Sequence, residues 1–191
     1  MRVLSERGYA ATSMSAIAEA CQGVSKGVLT YHFVDKAELM TQVVRSVLDD
    51  AAEWMTPRVA GAASYHEALR LYIAANVSFL DTHRVEIGAL TEVLANAQVT
   101  PGVPELFAAS QSAAMGALEA LFAGGQAVGE FGTVPAPMLA MALRSTIDAA
   151  SERLRREPDF ELEVFQRDLT ALFGRAVAAD HDDRASAGAI A

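Results

Sequence analysis

Apolar residues recur at spacings of three and four along most of the chain, which is the pattern of a helix with one buried face. Two such stripes near the carboxyl end are long and regular. They predict helices that pack nearly antiparallel to each other. The chain is rich in Ala and Leu and poor in aromatic residues, with Gly and Pro gathered mostly between the periodic segments. The sequence therefore predicts an all-α protein.

Near the amino terminus the pattern predicts two short helices joined by a tight turn. Ser13 is a suitable N-cap for the first, and Gly23 interrupts its apolar pattern. Ser25 is a suitable N-cap for the second, which would turn Val28, Leu29 and Phe33 inward. This geometry is a helix-turn-helix, whose second helix lies in the DNA major groove.

Capping signals organise the chain that follows. Asp35 with Glu38, and Ser64 with Glu67, have capping-box spacing at the starts of a long fourth helix and a fifth helix. We expect the fourth helix to end near Pro57, a hinge over residues 60–64 and a break over 100–104. A seventh helix is predicted over residues 105–123, a flexible glycine-rich link over 124–132, and a ninth helix starting at Asp159.

Three segments in the first 47 residues carry a family resemblance. They read GYAATSMSAIAEA, GVSKGVLTYHF and DKAELM, in this order and at nearly the spacing of the family. The chain resembles the TetR family of one-component transcriptional repressors over Leu4 to Val47. The resemblance implies a three-helix DNA-binding head at residues 1–47 and a helical effector-binding and dimerisation domain at 48–179. We expect residues 180–191, which are small and polar, to be a disordered tail.

The chain departs from the family pattern at two points. Between Ala18 and Gly23 it has one residue more, so we expect Cys21 or Gln22 to bulge out of the turn. The first helix is shortened, because only seven residues precede Gly8, and we expect this start to be late or trimmed. Loss of the upstream basic residues would weaken binding to phosphates.

The resemblance and the donor chemistry of the side chains together give candidate DNA contacts. Lys36 would place a cation in the first turn of a helix, where it opposes the helix dipole. A phosphate facing Lys36 would explain this position. The alternative is a plain solvated lysine. The candidates for phosphate contacts are Thr12, Thr30, Tyr31, His32 and Lys36. The candidates nearest the bases are Ser25, Lys26, Gly27 and Val28. The DNA would be a double-stranded palindromic operator with half-sites about one helical turn apart.

The body offers candidates for a small-molecule effector pocket and for a homodimer interface. Each side chain has plain core packing as its alternative. The pocket candidates are Trp54, Met55, Tyr72, Phe79, Phe107, Met115 and Phe122, with Asn76, Ser78, Thr91, Asn96 and Gln111 to orient a ligand. The dimer candidates are Leu139, Leu143, Ile147, Leu154, Leu162, Phe165, Leu169, Leu172 and Phe173.

Charge and composition limit the alternatives. The net charge is −9, but the chain through Arg45 carries five Lys and Arg against four acidic residues, and the remainder ten against twenty. A near-neutral head on an acidic body suits DNA binding by the head alone. The single Cys21 suits a reducing cytoplasm, and we expect it to be buried. We expect no membrane span and a cytoplasmic location.

Enzymatic chemistry finds little support in the motifs. Residues 23–27, GVSKG, match the nucleophile elbow of hydrolases, but that elbow follows a buried strand and this segment follows a predicted helix. The four histidines show no metal-ligand spacing, and no cofactor is expected. The leading hypothesis is a repressor released from its operator by an effector. The alternative is a helical ligand- or partner-binding protein that has lost operator binding.

Overall fold

The computed structural model describes residues 1–157 and 159–178, and over these residues the fold consists of nine α-helices with no strand. The all-α prediction is confirmed. The elements are α1 (Arg2–Ala11), α2 (Met14–Ala20), α3 (Lys26–His32), α4 (Lys36–Val59), α5 (Tyr65–Thr82), α6 (Arg84–Ala95), a 3-10 turn (Ala97–Val99), α7 (Val103–Ala127), α8 (Ala136–Arg156) and α9 (Leu162–Ala176). The predicted tail at 180–191 lies outside the described residues.

The capping predictions are confirmed at each helix start for which they were made. Ser13 accepts a hydrogen bond from the Ala16 amide, and Ser25 accepts one from the Val28 amide. Asp35 and Ser64 do the same for α4 and α5. These bonds satisfy amide groups that a helix leaves without an internal partner, so short polar side chains fix the starts of four helices.

Helix α4 ends at Val59, near Pro57 as predicted, with the proline inside its last turn. A proline inside a helix removes one backbone donor. Arg58 stabilises this last turn, because its guanidinium donates to the Trp54 carbonyl at 2.7 Å and lies 3.5 Å from the centre of the Trp54 ring.

The buried side chains form two clusters. The larger lies among α5, α7, α8 and α9 and includes Ile73, Phe122 and Leu143. The smaller joins Leu4 of α1 and Met40 of α4 to residues of α6 and the start of α7. The amino-terminal head therefore has no apolar cluster of its own among the described residues, since the cluster that holds α1 also belongs to the body.

Helix α7 extends through residues 124–127 of the predicted glycine-rich link. Gly124 and Gly125 lie inside this helix, and neighbouring rings leave no room for a side chain at either position. A Cβ on Gly124 would lie 2.5 Å from the Tyr65 ring, and one on Gly125 would overlap the Phe131 ring. The chain beyond is held by the buried Phe131 and by a 3.0 Å hydrogen bond from the Gly132 amide to the Val177 carbonyl.

Helix α9 starts later than expected, and helix α7 bears on the expectation of no membrane span. Helix α9 begins at Leu162 rather than Asp159, because the Phe160 amide donates to the Glu157 carbonyl at 3.0 Å and so is held outside the helix. Helix α7 is long and apolar enough, by length and composition, for a membrane span. The core helix of a globular protein meets the same test, and Leu118 and Phe122 of α7 are buried in the larger cluster.

Candidate DNA-binding head and ligand cavity

A tight turn joins α2 to α3. The Val24 amide donates to the Cys21 carbonyl at 3.0 Å, and Gly23 takes φ +85°, a conformation that residues with a side chain rarely adopt. Cys21 and Gln22 are exposed on the outside of the turn, where the extra residue was expected to bulge. The expectation that Cys21 is buried was wrong, because the turn ends the packed face of α2 before reaching it.

Helix α3 presents a solvated face that follows directly from its cap. The Tyr31 side chain is 85% exposed and Val28 is 47% exposed, so Val28 does not point into the core as its apolar spacing suggested. The Thr30 hydroxyl donates back to the Lys26 and Gly27 carbonyls at 3.1 Å. The face thus combines a phenol, an apolar side chain and a lysine, a mixture that suits phosphate and base contacts.

The side chain and backbone of Tyr9 join the head to the body. Its amide donates to the Glu92 carboxylate at 3.2 Å, and its hydroxyl pairs with the Thr100 hydroxyl at 3.0 Å. Its carbonyl accepts a 2.5 Å bond from the Lys36 ammonium, which also lies 3.8 Å from the centre of the Tyr9 ring. One residue of α1 is thereby fixed to the start of α4, to α6 and to the residue after the 3-10 turn. We call Tyr9, Lys36, Glu92 and Thr100 the Tyr9 junction.

Two predicted phosphate contacts are engaged inside the head. Thr12 is 1% exposed and its hydroxyl donates to the Gly8 carbonyl at 2.8 Å. Lys36 has its ammonium on Tyr9, and burial lowers the pKa of this group below its usual value. The position of Lys36 in a first helical turn is explained by the Tyr9 carbonyl and ring, without a phosphate. The partner of Lys36 could not be read from the sequence, because Tyr9 lies 27 positions away, whereas the Thr12 bond reaches back four residues to Gly8, where the helix is kinked.

A cavity of about 760 Å³ lies among α4, α5, α6, α7 and α8. Its wall includes four of the predicted pocket residues, Met55, Tyr72, Phe79 and Phe107. It also includes three of the predicted polar residues, Asn76, Thr91 and Gln111. Its size falls within the range of ordinary small-molecule sites, and most of its wall is apolar.

Three predicted pocket residues, Trp54, Met115 and Phe122, do not line this cavity. Trp54 donates from its indole to the Ala75 carbonyl at 3.2 Å. Phe122 is fully buried against Phe131, and Met115 packs against the larger apolar cluster. The helical spacing of these residues reflected core packing. Ser78 and Asn96 are also absent from the wall.

The polar end of the cavity includes residues that sequence reasoning missed. Arg144 donates through Nε to Asp148 at 3.0 Å and through Nη1 to Asn76 at 3.4 Å. Burial disfavours its charge, but the hydrogen bond and charge of Asp148, with a further hydrogen bond to Tyr72, raise the pKa of Arg144 above its usual value. The spacing of Arg144 and Asp148 by four residues was visible in the sequence, but their position beside a cavity was not.

The comparisons with known proteins agree with this architecture. Residues 1–43 match the family model described as "Bacterial regulatory proteins, tetR family". This amino-terminal domain is a TetR-family domain. The sequence matches none of the curated proteins with which it was compared.

Solved structures resemble the fold of this chain over nearly its whole length. The TetR family regulator PfmR from Thermus thermophilus has a TM-score of 0.78 at 22% identity, covering 91% of this chain and 93% of that one. A putative transcriptional regulator from Saccharomonospora viridis in complex with choline has a TM-score of 0.82 at 19% identity, covering 92% of each chain. AibR, in complex with isovaleryl coenzyme A and operator DNA, has a TM-score of 0.72 at 22% identity, covering 90% of this chain and 91% of that one.

The TetR-family head retains the other predicted contact residues on its surface. Ser25, Lys26, Gly27, Thr30 and His32 are exposed, as are Val28 and Tyr31. The nucleophile-elbow interpretation does not fit Ser25, since its segment follows helix α2 and a turn, and its hydroxyl accepts from the Val28 amide.

The carboxyl-terminal stripes of the body lie mostly inside a single chain. Seven of the nine dimer candidates belong to its larger apolar cluster, namely Leu139, Leu143, Ile147, Leu154, Leu162, Leu169 and Phe173. These side chains match the alternative of plain core packing. Phe165 is partly exposed and Leu172 is 54% exposed, and both line an open groove of about 830 Å³ along α8 and α9.

Proposed function

We propose that this chain is a cytoplasmic transcriptional regulator that binds a palindromic DNA operator as a homodimer and is released when a small molecule fills the cavity. It acts as a repressor and not as an enzyme. The single observation that carries this proposal is the continuity of two helices between the solvated head and the cavity. Helix α4 contributes Val47 and Met55 to the cavity wall and begins at the Tyr9 junction, while α6 contributes Leu90 to the wall and Glu92 to the junction.

This continuity gives a ligand a physical route to the DNA-binding surface. A molecule that prefers one arrangement of α4 and α6 shifts the population toward that arrangement, and the head moves with them. AibR was solved with both a coenzyme A thioester and operator DNA, which supports two such binding functions in one fold of this kind.

The contacts with DNA would come from α3. Tyr31, His32 and Thr30 would hold phosphates, and the amino-terminal residues Lys26, Gly27 and Val28 would lie nearest the bases. Their exposure supports this arrangement. Thr12 and Lys36 would act indirectly, by fixing α1 against the start of α4.

The first test is fluorescence-polarisation binding of the protein to DNA from upstream of its own gene, against scrambled DNA, across a salt series. Specific binding with a steep salt dependence is expected, because each phosphate contact releases counterions. Tyr31→Ala should weaken operator binding and reduce the salt slope. Val99→Ala, at an exposed position on the body, should leave both unchanged. Equal affinity for upstream and scrambled DNA would contradict the proposal.

The homodimer would form along the groove between α8 and α9. Its exposed apolar residues, Phe165 and Leu172, would be covered by a second copy, and twofold dimers are the commonest soluble oligomers. Leu172→Glu should shift the protein from dimer to monomer in sedimentation equilibrium, and Val128→Glu, at an exposed position that does not line the groove, should not. Dimers that persist in Leu172→Glu would place the interface elsewhere.

A second candidate function is a ligand- or partner-binding protein without an operator. The inward positions of Thr12 and Lys36 favour it, because each side chain already has a hydrogen-bond partner within the protein. Ligand binding in the cavity without specific DNA binding by the same preparation would support this candidate over the first.

A further inference from the structure

The charged groups that line the cavity constrain what it can bind. Among the described residues they are Arg144, Asp148 and Glu152. Asp148 is occupied by Arg144, and Glu152 accepts from Arg155 at 2.8 Å and from Arg156 at 2.6 Å. Each charge at this end of the cavity already has a partner of opposite sign within the protein.

A charged ligand would disturb this arrangement. An anion beside Arg144 would meet the Asp148 and Glu152 carboxylates or would have to displace Asp148. A cation beside those carboxylates would meet Arg144. Either ligand would also lose its hydration on entering a mostly apolar cavity, which is costly for a charge without a dedicated partner.

Hydrogen-bond donors are available to a ligand at the Arg144 end of the cavity, and Ser110, Gln111 and Ser151 in the same wall carry groups that both donate and accept. Tyr72 and Arg144 line the cavity together and both bond to Asn76, and the phenol of Tyr72 has an O–H that it can donate to a ligand. The positive charge of Arg144 polarises that O–H and strengthens any bond that it donates. Arg144 also has five N–H groups, more than its bonds to Asp148 and Asn76 use. A carbonyl, ester or hydroxyl oxygen fits such a site.

The remaining wall fits an apolar body. Val47, Leu48, Leu94, Phe107 and Leu121 line the cavity from α4, α6 and α7. We propose that the cavity binds an uncharged amphiphile, with an apolar body among these side chains and an acceptor oxygen on Tyr72 and Arg144. This inference rests on the proposed function for the cavity as an effector site and names the chemical class of the effector.

The test compares three probes of equal chain length by isothermal titration below their micellar concentrations: octyl methyl ketone, decanoate and decylammonium. The ketone should bind at least about tenfold tighter than either ion. Tyr72→Phe, which removes one donor and keeps the ring, should weaken ketone binding about tenfold, the effect of one buried hydrogen bond. Tyr65→Phe serves as the matched control, because Tyr65 packs on Gly124 and Phe131 outside the cavity, and it should bind the ketone normally.

Tighter binding of decanoate or decylammonium would overturn the inference, as would ketone binding that Tyr72→Phe leaves unchanged or the absence of binding by all three probes. Operator binding in the presence of the ketone is measured separately. Ketone binding through Tyr72 that leaves operator affinity unchanged would support the ligand class and overturn release by the effector. If the protein binds its operator but binds decanoate more tightly than the ketone, the proposed regulatory function would be supported and the uncharged ligand class would be overturned.

Discussion

Helices α3 and α8 use the same backbone geometry for opposite purposes. In the described structure α3 contains no buried side chain and is defined by the Ser25 cap and its packing on α2. Helix α8 buries seven residues, from Ala136 to Leu154, and is held by the larger apolar cluster. Burial of apolar side chains contributes on the order of a few kcal/mol each, whereas a cap contributes about 1 kcal/mol. The recognition surface therefore depends on local hydrogen bonds and on the Tyr9 junction, and the body depends on packing.

The largest effect should come from the body. Phe122→Ala should lower the free energy of unfolding by about 3 to 5 kcal/mol, because it opens a cavity in the larger cluster. Val128→Ala, six residues along at an exposed position, should change it by less than about 0.5 kcal/mol. Urea denaturation followed by circular dichroism measures both, and equal midpoints would contradict the assignment of Phe122 to the core.

The Tyr9 junction should come next. Tyr9→Phe removes the hydroxyl that pairs with the fully buried Thr100, and it should cost about 1 to 2 kcal/mol. Tyr31→Phe, the same change on an 85% exposed side chain, should leave the free energy of unfolding unaltered. In Tyr9→Phe we also expect ligand to change operator affinity less than in the unmodified protein. Unaltered ligand response would show that coupling does not pass through this hydroxyl.

The cap on α3 should have a smaller, local effect. Ser25→Ala should cost about 1 kcal/mol and should increase amide hydrogen exchange in α3 before exchange changes in α8. Ser112→Ala, at an exposed position inside α7, provides the control and should not accelerate exchange in α3. Faster exchange across the whole chain in Ser25→Ala would mean that the head and body do not differ in local stability.

The smallest change in the free energy of unfolding is expected for Gly27→Ala, which tests whether folding and DNA binding respond in opposite directions. A Cβ on Gly27 would lie 3.6 Å from the Ser25 hydroxyl, an ordinary contact, so Gly27→Ala should stabilise α3 by about 0.5 to 1 kcal/mol. The same methyl group would hinder close approach of this helix to DNA and should weaken operator binding. Gly116→Ala, where the added Cβ meets nothing within 4 Å, should stabilise α7 without affecting DNA binding. A Gly27→Ala protein that binds its operator normally would remove Gly27 from the interface.

The sequence predicted best what local chemistry determines. Ser13, Ser25, Asp35 and Ser64 cap helices as expected, because the cap and its amide partner lie three residues apart. The exposure of α3 followed from the same local pattern, apart from Val28.

Several errors have a different cause, which is contact between residues distant in sequence. The partner of the Lys36 ammonium is the Tyr9 carbonyl, 27 positions away. The need for glycine at positions 124 and 125 of α7 comes from the rings of Tyr65 and Phe131. Apolar spacing also could not say which partner a stripe faces, so Leu143 and Ile147 were expected at a dimer interface but are buried in one chain. Such contacts require the tertiary fold.

The course of α4 has a consequence for modular engineering of such a protein. The predicted domain boundary at residue 47 falls inside this continuous helix, at a valine that is buried and lines the cavity. A chimera spliced there would give the transplanted head a foreign half of α4 and would deprive Tyr9 of Glu92 and Thr100. Exchange of the recognition specificity alone, by grafting the exposed residues of α3, preserves both contacts and is the more conservative route to a regulator with a new operator.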